Sequence, residues 1–560
     1  MFDNDKKELP IGIEDFKVLI DNNYYFVDKT LFLRDLMHRF GKVSLFTRPR
    51  RFGKTLNMSM IRYFFERSEE DHSYLFQGLK IAEAGEQYLA HQGQYPVISI
   101  TLKDVEAADY DTTFTMFRDL IAREFKRHRE VLSSPKMFEG DKNLYLRICN
   151  REGDYATYCS ALQFLSECLY EVYGKKVIIL IDEYDVPLQN AYFKGFYDKM
   201  VELIRSVFSS AVKTNTSMAF AVLTGCLRVS KESIFTGFNN PDVYSVMEHK
   251  FADAFGFTEQ EVQQMTQDYQ LEDRFGEIKE WYDGYCFGGT EIYNPWSVLK
   301  YIQQVTDGAQ VAAKPYWVNT SSNSIIQDLI AKSEPKTKQD IKTLLSGGTL
   351  EKQLFEDITY SGLDVNQEHI WSFLLFTGYL KPVRLWSVGK FTYFEGKLPN
   401  VEVESIYEEV FWQWFERQIK EADKSKFFHA VLNGDAKTIE RELNSWMNRS
   451  ISYHDGYENY YHGFLVGLLQ YSEQYLIESN RESGTGRSDI FIKDTLNHEI
   501  AVVIEAKAAD TEAPLEQECR KALKQIEEKQ YANGLLNEGY SKIVKYGIAF
   551  YQKYCKVMLG

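Results

Sequence analysis

Two groups of residues in this sequence have the types and spacing that handle phosphate chemistry. The first is Gly53-Lys54-Thr55, which closes the stretch Phe46-Thr47-Arg48-Pro49-Arg50-Arg51-Phe52. A loop ending in Gly-Lys-Thr offers backbone N–H groups to a polyphosphate, a lysine to its terminal groups and a hydroxyl to Mg²⁺. The second is Glu505-Ala506-Lys507, preceded by Asp489. Clustered carboxylates hold a divalent metal for phosphodiester cleavage, and a lysine beside them orients or deprotonates water.

The elements around the first group read as follows. Val43-Ser44-Leu45-Phe46-Thr47 is an apolar run expected to be a buried strand that ends at the loop, and a helix is expected over Leu56 to Phe65. Val97 to Leu102, Val177 to Ile181 and Met218 to Thr224 are further apolar runs. Runs without alternation, separated by helical stretches, predict a parallel sheet covered on both faces. Ligands of such sheets sit at the carboxyl ends of the strands, where Asp182-Glu183 and the loop both fall. Asp182 is then expected to hold Mg²⁺ together with Thr55, and Glu183 to polarise an attacking water. Thr224 would sense the terminal phosphate, and Arg228 would add positive charge there. Arg48 stands where the general phosphate loop has its first glycine, and Pro49 removes one donor. Arg48, Arg50, Arg51, Phe52, Gly53, Lys54 and Thr55 are expected to line the nucleotide.

Around the second group, Glu505 and Lys507 are two apart on a strand from Ile500 to Lys507, so they share a face. Ile490-Phe491-Ile492 forms the preceding strand, begun by Asp489, and a turn near Asn497-His498 would make a hairpin that brings Asp489 beside Glu505. A helix follows from about Pro514 to Lys529. His454, Glu458 and His462 are four apart and one helix would align them for a metal. Their aromatic neighbours Tyr457, Tyr460 and Tyr461, and the lack of a third histidine nearby, favour a packed or solvent-facing helix.

The chain is 560 residues long, too long for one core, so several domains are expected. A net charge of −16 argues against a protein that coats DNA nonspecifically, because phosphate neutralisation dominates such binding. It leaves room for a local basic groove, for which Arg520, Lys521, Lys524, Lys529, Lys542, Lys545, Lys553 and Lys556 are candidates. The seven cysteines are scattered without a CxxC pair, so neither a disulfide framework nor a zinc site is indicated. No apolar run reaches the ~18 residues of a membrane helix, and the N-terminus has no apolar signal core. A cytoplasmic protein without a membrane partner is expected. The 37 Tyr and 38 Phe point to large aromatic cores, with base-stacking platforms as the alternative.

Thr47 to Thr55, Asp182-Glu183-Tyr184-Asp185, Thr224-Gly225 with Arg228, Phe255-Gly256-Phe257-Thr258 and Trp281-Tyr282-Asp283-Gly284-Tyr285 with Tyr293-Asn294-Pro295-Trp296 resemble the bacterial AAA-ATPase-like family. That family is known for a C-terminal nuclease domain of the PD-(D/E)XK superfamily, and an arginine in place of the first glycine is typical of it. The C-terminal carboxylates resemble that superfamily down to Gly486-Arg487-Ser488-Asp489. The resemblance implies an additional-strand P-loop α/β domain with a helical lid, a helical middle region and a restriction-endonuclease-like α/β domain. Boundaries are expected at 1–250, 251–300, 301–445 and 446–560. Glu458 resembles the acid of the superfamily's first helix, and Gln525 and Lys529 resemble the helix that supports the site or touches DNA.

The expected function is ATP binding and hydrolysis coupled to a metal-dependent nuclease. Asp489 and Glu505 would bind Mg²⁺ or Mn²⁺, and the substrate would be nucleic acid, DNA before RNA. The alternative is a nucleotide-switched signalling or scaffold ATPase whose nuclease-like domain only binds nucleic acid or a partner. Related ATPases act as rings or dimers, so a homo-oligomer is an open option.

Overall fold

The computed structural model describes residues 6–38, 43–228, 241–308, 312–317, 329, 335–408, 424–450, 458–469, 475–479, 489–509, 515–529, 531–551 and 554–560. The chain forms two compact units, one of residues 1–325 with 349–406 and one of 326–348 with 407–560. Among the described residues no helix is long and apolar enough to cross a membrane.

The first unit is built on a five-stranded parallel sheet. Its strands are β1 (Val43–Thr47), β2 (Val97–Thr101), β3 (Val177–Asp182), β4 (Met218–Gly225) and β5 (Asp242–Tyr244), in the order β2-β3-β4-β1-β5. Every residue of β1 and of β3 is buried, which is why both read as unbroken apolar runs. β4 lies between β1 and β3, so one strand separates the loop from the acids at the end of β3. The register sets Thr47 opposite Gly225 and Ile181 opposite Leu223, which brings all three carboxyl ends to one edge.

After this sheet the first unit continues through helices interleaved with two small antiparallel sheets. The first joins β6 (Phe257–Thr258), β7 (Tyr285–Phe287) and β8 (Thr290–Tyr293) in the order β6-β8-β7. The helix Glu259–Asp268 beside it starts with a capping box of Thr258 and Glu261, which satisfies two otherwise orphaned donors. The second sheet joins β9 (Leu350–Gln353), β10 (Lys381–Val388) and β11 (Phe391–Lys397) in the order β10-β11-β9. These strands add to the helices expected from 251 to 445. Glu402, fully buried, accepts the Ser297 hydroxyl at 2.9 Å and the backbone N–H groups of Tyr316 and Trp317 at 2.7 and 2.9 Å. It ties the helix Pro295–Thr306 to the following segment.

The second unit carries a mixed sheet of β12 (Tyr475–Ser479), β13 (Asp489–Asp494), β14 (Ile500–Ala508), β15 (Lys542–Tyr551) and β16 (Tyr554–Leu559), in that order. Only β14 and β15 pair in parallel. One face packs on the helices Ser425–Asn433, Ala436–Ser450 and Glu458–Leu469 through a core that includes Phe427, Leu443, Phe464, Val502 and Tyr546. The first two of these helices thus belong with the C-terminal sheet, although the sequence expectation set its boundary at 446. On the other face Phe491, Ala501 and Val503 pack against Ile526 of the helix Leu515–Glu528. Gly547 on β15 permits this close approach, because a Cβ there would stand 2.3 Å from the Cys519 carbonyl oxygen.

Candidate active sites

The loop after β1 extends the parallel ladder by one bond, from the Arg48 N–H to the Gly225 carbonyl at 3.0 Å. It then turns through Arg51 and Gly53, both with positive φ (69° and 83°), into the helix Lys54–Phe65. Lys54 is 3% exposed. Its ammonium donates to the Arg48 and Pro49 carbonyls at 3.1 Å each, lies 3.2 Å from Glu183 Oε1 and approaches Cys226 Sγ at 3.8 Å. Burial works against this charge, but the Cys226 thiol, Glu183, Asp185 and Asp182 together outweigh it and hold the ammonium above its ordinary value.

Asp182 accepts the Thr55 hydroxyl at 2.8 Å on one oxygen and the Thr224 hydroxyl on the other. Burial, then the neighbouring Glu183 charge, push its carboxyl up to about 6. Glu183 has φ 53°, a left-handed conformation that costs a non-glycine residue energy, and its Oε2 is buried without a hydrogen-bond partner among the described residues. Asp185 accepts the Cys226 and Leu227 N–H groups at 2.8 and 3.1 Å. Burial and Glu183 raise it, too, to about 6, and its Oδ1 is likewise without a partner.

The other expected residues have partners of their own. Arg48 is fully buried and donates to the carbonyls of Thr47, Tyr244 and Phe251 at 2.9, 2.7 and 3.1 Å. The rings of Phe255 and Phe287 stand 5.2 and 5.1 Å from its guanidinium carbon. It binds the loop to β5 and to the segment beyond. Arg50 donates to Gln189 at 3.0 Å. Arg51 stacks over Trp296 at 4.5 Å and lies 3.9 Å from Glu14. Phe52 is fully buried, edge-on to Tyr285. Arg228 is paired at 3.9 and 3.7 Å with Glu356 and Asp357. Lys54, Thr55, Asp182, Glu183 and Thr224 are therefore expected residues that the fold brings together, and Arg50 joins them through its charge interactions with Cys226, Glu183 and Asp185.

In the second unit the β13–β14 register sets Asp489 directly opposite Glu505. Glu505 is fully buried. The Lys507 ammonium lies 2.9 Å from its Oε1, yet neither carboxylate oxygen has an aligned hydrogen-bond donor among the described residues. Glu505 alternates in phase with Ala501 and Val503, so it faces the helix Leu515–Glu528. Gln525 lies on that helix, and the Lys529 ammonium stands 5.4 Å from the Tyr531 ring. Glu458 opens the helix Glu458–Leu469. The side chains of Glu458, Asp489 and His462, together with His454 and Gly486-Arg487-Ser488, lie outside the described residues.

Residues 10–235 match a family of AAA-ATPase-like proteins described as predicted AAA-ATPases. Residues 456–559 match the PD-(D/E)XK nuclease superfamily. The chain carries an AAA-ATPase-like domain and a PD-(D/E)XK nuclease superfamily domain. It is also similar to a protein of Azotobacter chroococcum mcd 1, described as an uncharacterized protein in the vnfD 5′ region. The two are 27% identical over 407 residues, covering 72% of this chain and 70% of the relative.

The donors in the AAA-ATPase-like domain fit a nucleotide with a hard divalent cation. The Thr55 hydroxyl and the Asp182 carboxylate are joined at 2.8 Å, and a buried unpartnered oxygen of Glu183 lies next in sequence. The fully buried carboxylate of Glu505, beside the Lys507 ammonium at 2.9 Å, fits a metal as well, since a buried carboxylate is costly without cations around it. Sequence reasoning missed Asp185 and Cys226 as members of the loop site. With Glu183 they bring possible ligand atoms within 4.8 Å of one another, and the Lys54 ammonium already supplies a cation to them. Asp185 was visible as the last residue of Asp182-Glu183-Tyr184-Asp185, and Cys226 only by its place directly after β4.

Proposed function

We propose that the chain binds and hydrolyses ATP and uses the nucleotide to govern a metal-dependent nuclease that cuts nucleic acid, DNA in the first place. The observation that carries this reading is Glu505, a fully buried carboxylate with Lys507 at 2.9 Å and Asp489 opposite it in register. Asp489 and Glu505 would hold Mg²⁺ or Mn²⁺, which when bound supplies Lewis acidity to the scissile phosphate. Lys507 would orient the attacking water and offset the negative charge that develops as it attacks. Gln525 and Lys529 would steady the strand being cut, and Glu458 would add an outer carboxylate.

In the AAA-ATPase-like domain Lys54 would leave the Glu183 and loop-carbonyl contacts for the terminal phosphates of ATP. Thr55 and Asp182 would hold Mg²⁺. Glu183, released from Lys54, would polarise water, and Thr224 would report the terminal phosphate through its bond to Asp182. The Lys54–Glu183 pair also favours a second reading. While that pair persists the water-polarising acid is occupied, and the domain acts as a slow nucleotide switch whose nuclease-like domain only binds.

The deciding experiment is cleavage of labelled single- and double-stranded DNA and RNA with Mg²⁺ or Mn²⁺, with and without ATP. Cleavage is expected to vanish in Asp489→Ala and Glu505→Gln, and its ATP response to vanish in Lys54→Ala. ATP turnover without cleavage of any substrate would leave the switch reading in place.

A further inference from the structure

Between Leu350 and Lys397 the chain runs strand, helix, helix, strand, strand. β9 is followed by the helices Tyr360–Val365 and His369–Phe376, then by the hairpin of β10 and β11, with sheet order β10-β11-β9. This is the path of a helix pair with a β wing. In DNA-binding helix pairs the second helix enters a groove. Here all eight residues of His369–Phe376 are buried, so that helix reads nothing. The element presented to solvent is the hairpin.

One face of the hairpin is a continuous platform. Arg384 stacks over Trp386 at 4.6 Å. Trp386 lies opposite Tyr393 in register, the two rings 6.0 Å apart and tilted by only 16°. Val388 and Phe391, the next pair on that face, are 58% and 45% exposed, and the Lys390 ammonium lies over the Phe391 ring at 5.4 Å. Residues 381–397 hold four basic residues and one acid, in a chain of net charge −16; Lys381 is paired with Glu291 at 3.9 Å and Arg384 with Glu351 and Glu395 at 3.3 and 3.6 Å, while Lys390 and Lys397 are exposed. The exposed Phe391 and the half-buried Trp386, with the Lys390 ammonium beside the first, suit unstacked bases and their phosphates. The same exposure would be a liability in a surface with no partner.

We infer that the β10–β11 hairpin is a docking surface for single-stranded nucleic acid, with Phe391 and Trp386 stacking on bases and Lys390 meeting phosphates. The inference rests on the reading of the chain as a nucleic-acid enzyme and adds a contact outside the nuclease domain. The hairpin is rooted at the phosphate loop. Gly378, between the buried helix and β10, has φ 87°, and a Cβ on it would stand 2.9 Å from Pro49 Cγ.

The test is binding of a fluorescent oligothymidylate to the full chain in EDTA, followed by anisotropy across a salt series, for wild type, Trp386→Ala, Phe391→Ser and Lys390→Ala. The aromatic variants are expected to bind about ten- to a hundredfold more weakly, the range for loss of one stacked base. Lys390→Ala is expected to lower the salt slope by about one. Phe391 and Lys390 lie at the exposed tip, so an unchanged thermal midpoint in their variants excludes misfolding as the cause. Equal binding by wild type and variants, or binding of duplex alone, overturns the inference while leaving the nuclease reading intact. Absence of any nucleic-acid binding by wild type, with no cleavage, overturns both.

Discussion

At the scale of single residues, Arg48 shows how identity and role separate. Its position in the loop suggests a phosphate contact, yet its guanidinium is spent on three backbone carbonyls, two of them far away in sequence at Tyr244 and Phe251. A buried carbonyl that loses its donor costs about 1–3 kcal/mol. Arg48→Met is therefore expected to destabilise the first unit by about 2–4 kcal/mol while leaving the KM for ATP unchanged at a permissive temperature. Thermal unfolding and steady-state kinetics on the same preparation check both halves. A large KM increase at unchanged stability would return Arg48 to the nucleotide. Sequence alone could not separate these roles, because nothing local to Arg48 announces which distant carbonyls will reach it.

At the scale of elements, Glu402 makes a pH prediction. Burial pushes its carboxyl up to about 7, against the bonds from Trp317, Ser297 and Tyr316. A carboxyl raised in the folded state contributes stability that is fully present below its unfolded value, about 4.3, and lost as pH rises through about 7. Stability of the first unit should thus fall between about pH 4.3 and 7 on this account and level off above it. Glu402→Gln keeps an acceptor and removes the titration, so it is expected to be more stable than wild type by about 1–3 kcal/mol at pH 8 and equal to it near pH 4.5. Denaturant melts across that range provide the check, and a constant difference would refute the assignment.

Gly547 governs the seating of the helix that Glu505 faces. Gly547→Val places atoms where the Cys519 carbonyl and the Leu523 side chain already are, the latter 3.0 Å from a first added carbon. Overpacking of this kind costs about 1–3 kcal/mol, and cleavage should fall more than stability because the helix shifts over the site. The elements that position both sites were largely legible. β1, β3 and β4 are buried apolar runs, and the β13–β14 hairpin follows from two apolar stretches around Asn497-His498. The sheets β6–β8 and β9–β11 were not. Their strands are short, or, as in β10, half apolar and half exposed without a fixed phase, so no period of two marks them. The helices Ser425–Asn433 and Ala436–Ser450 were legible as helices, but not as part of the nuclease core, since amphipathic helices do not say which sheet they cover.

At the scale of the whole molecule, two compact units predict two calorimetric transitions. ATP with Mg²⁺ at a hundredfold above its Kd should raise the stability of one unit by about 2.7 kcal/mol and leave the other in place. Lys54→Ala should abolish that shift. A single transition moved as a whole by nucleotide would mean that the units unfold as one cooperative body.

The division of the chain also has a consequence during synthesis. The first unit takes residues 1–325 and 349–406, with 326–348 assigned to the second. A nascent chain that already holds the phosphate loop and Asp182 still lacks Glu402, the acids that pair with Arg228 and the glycine that abuts Pro49. Ribosomes add about 5–20 residues per second, so the unfinished unit waits for seconds with Tyr316, Trp317 and the loop uncovered. The first unit is then expected to finish folding only after residue 402 has emerged, and a chain truncated before Glu356 should lack the late contacts of Arg228, Pro49 and Trp317.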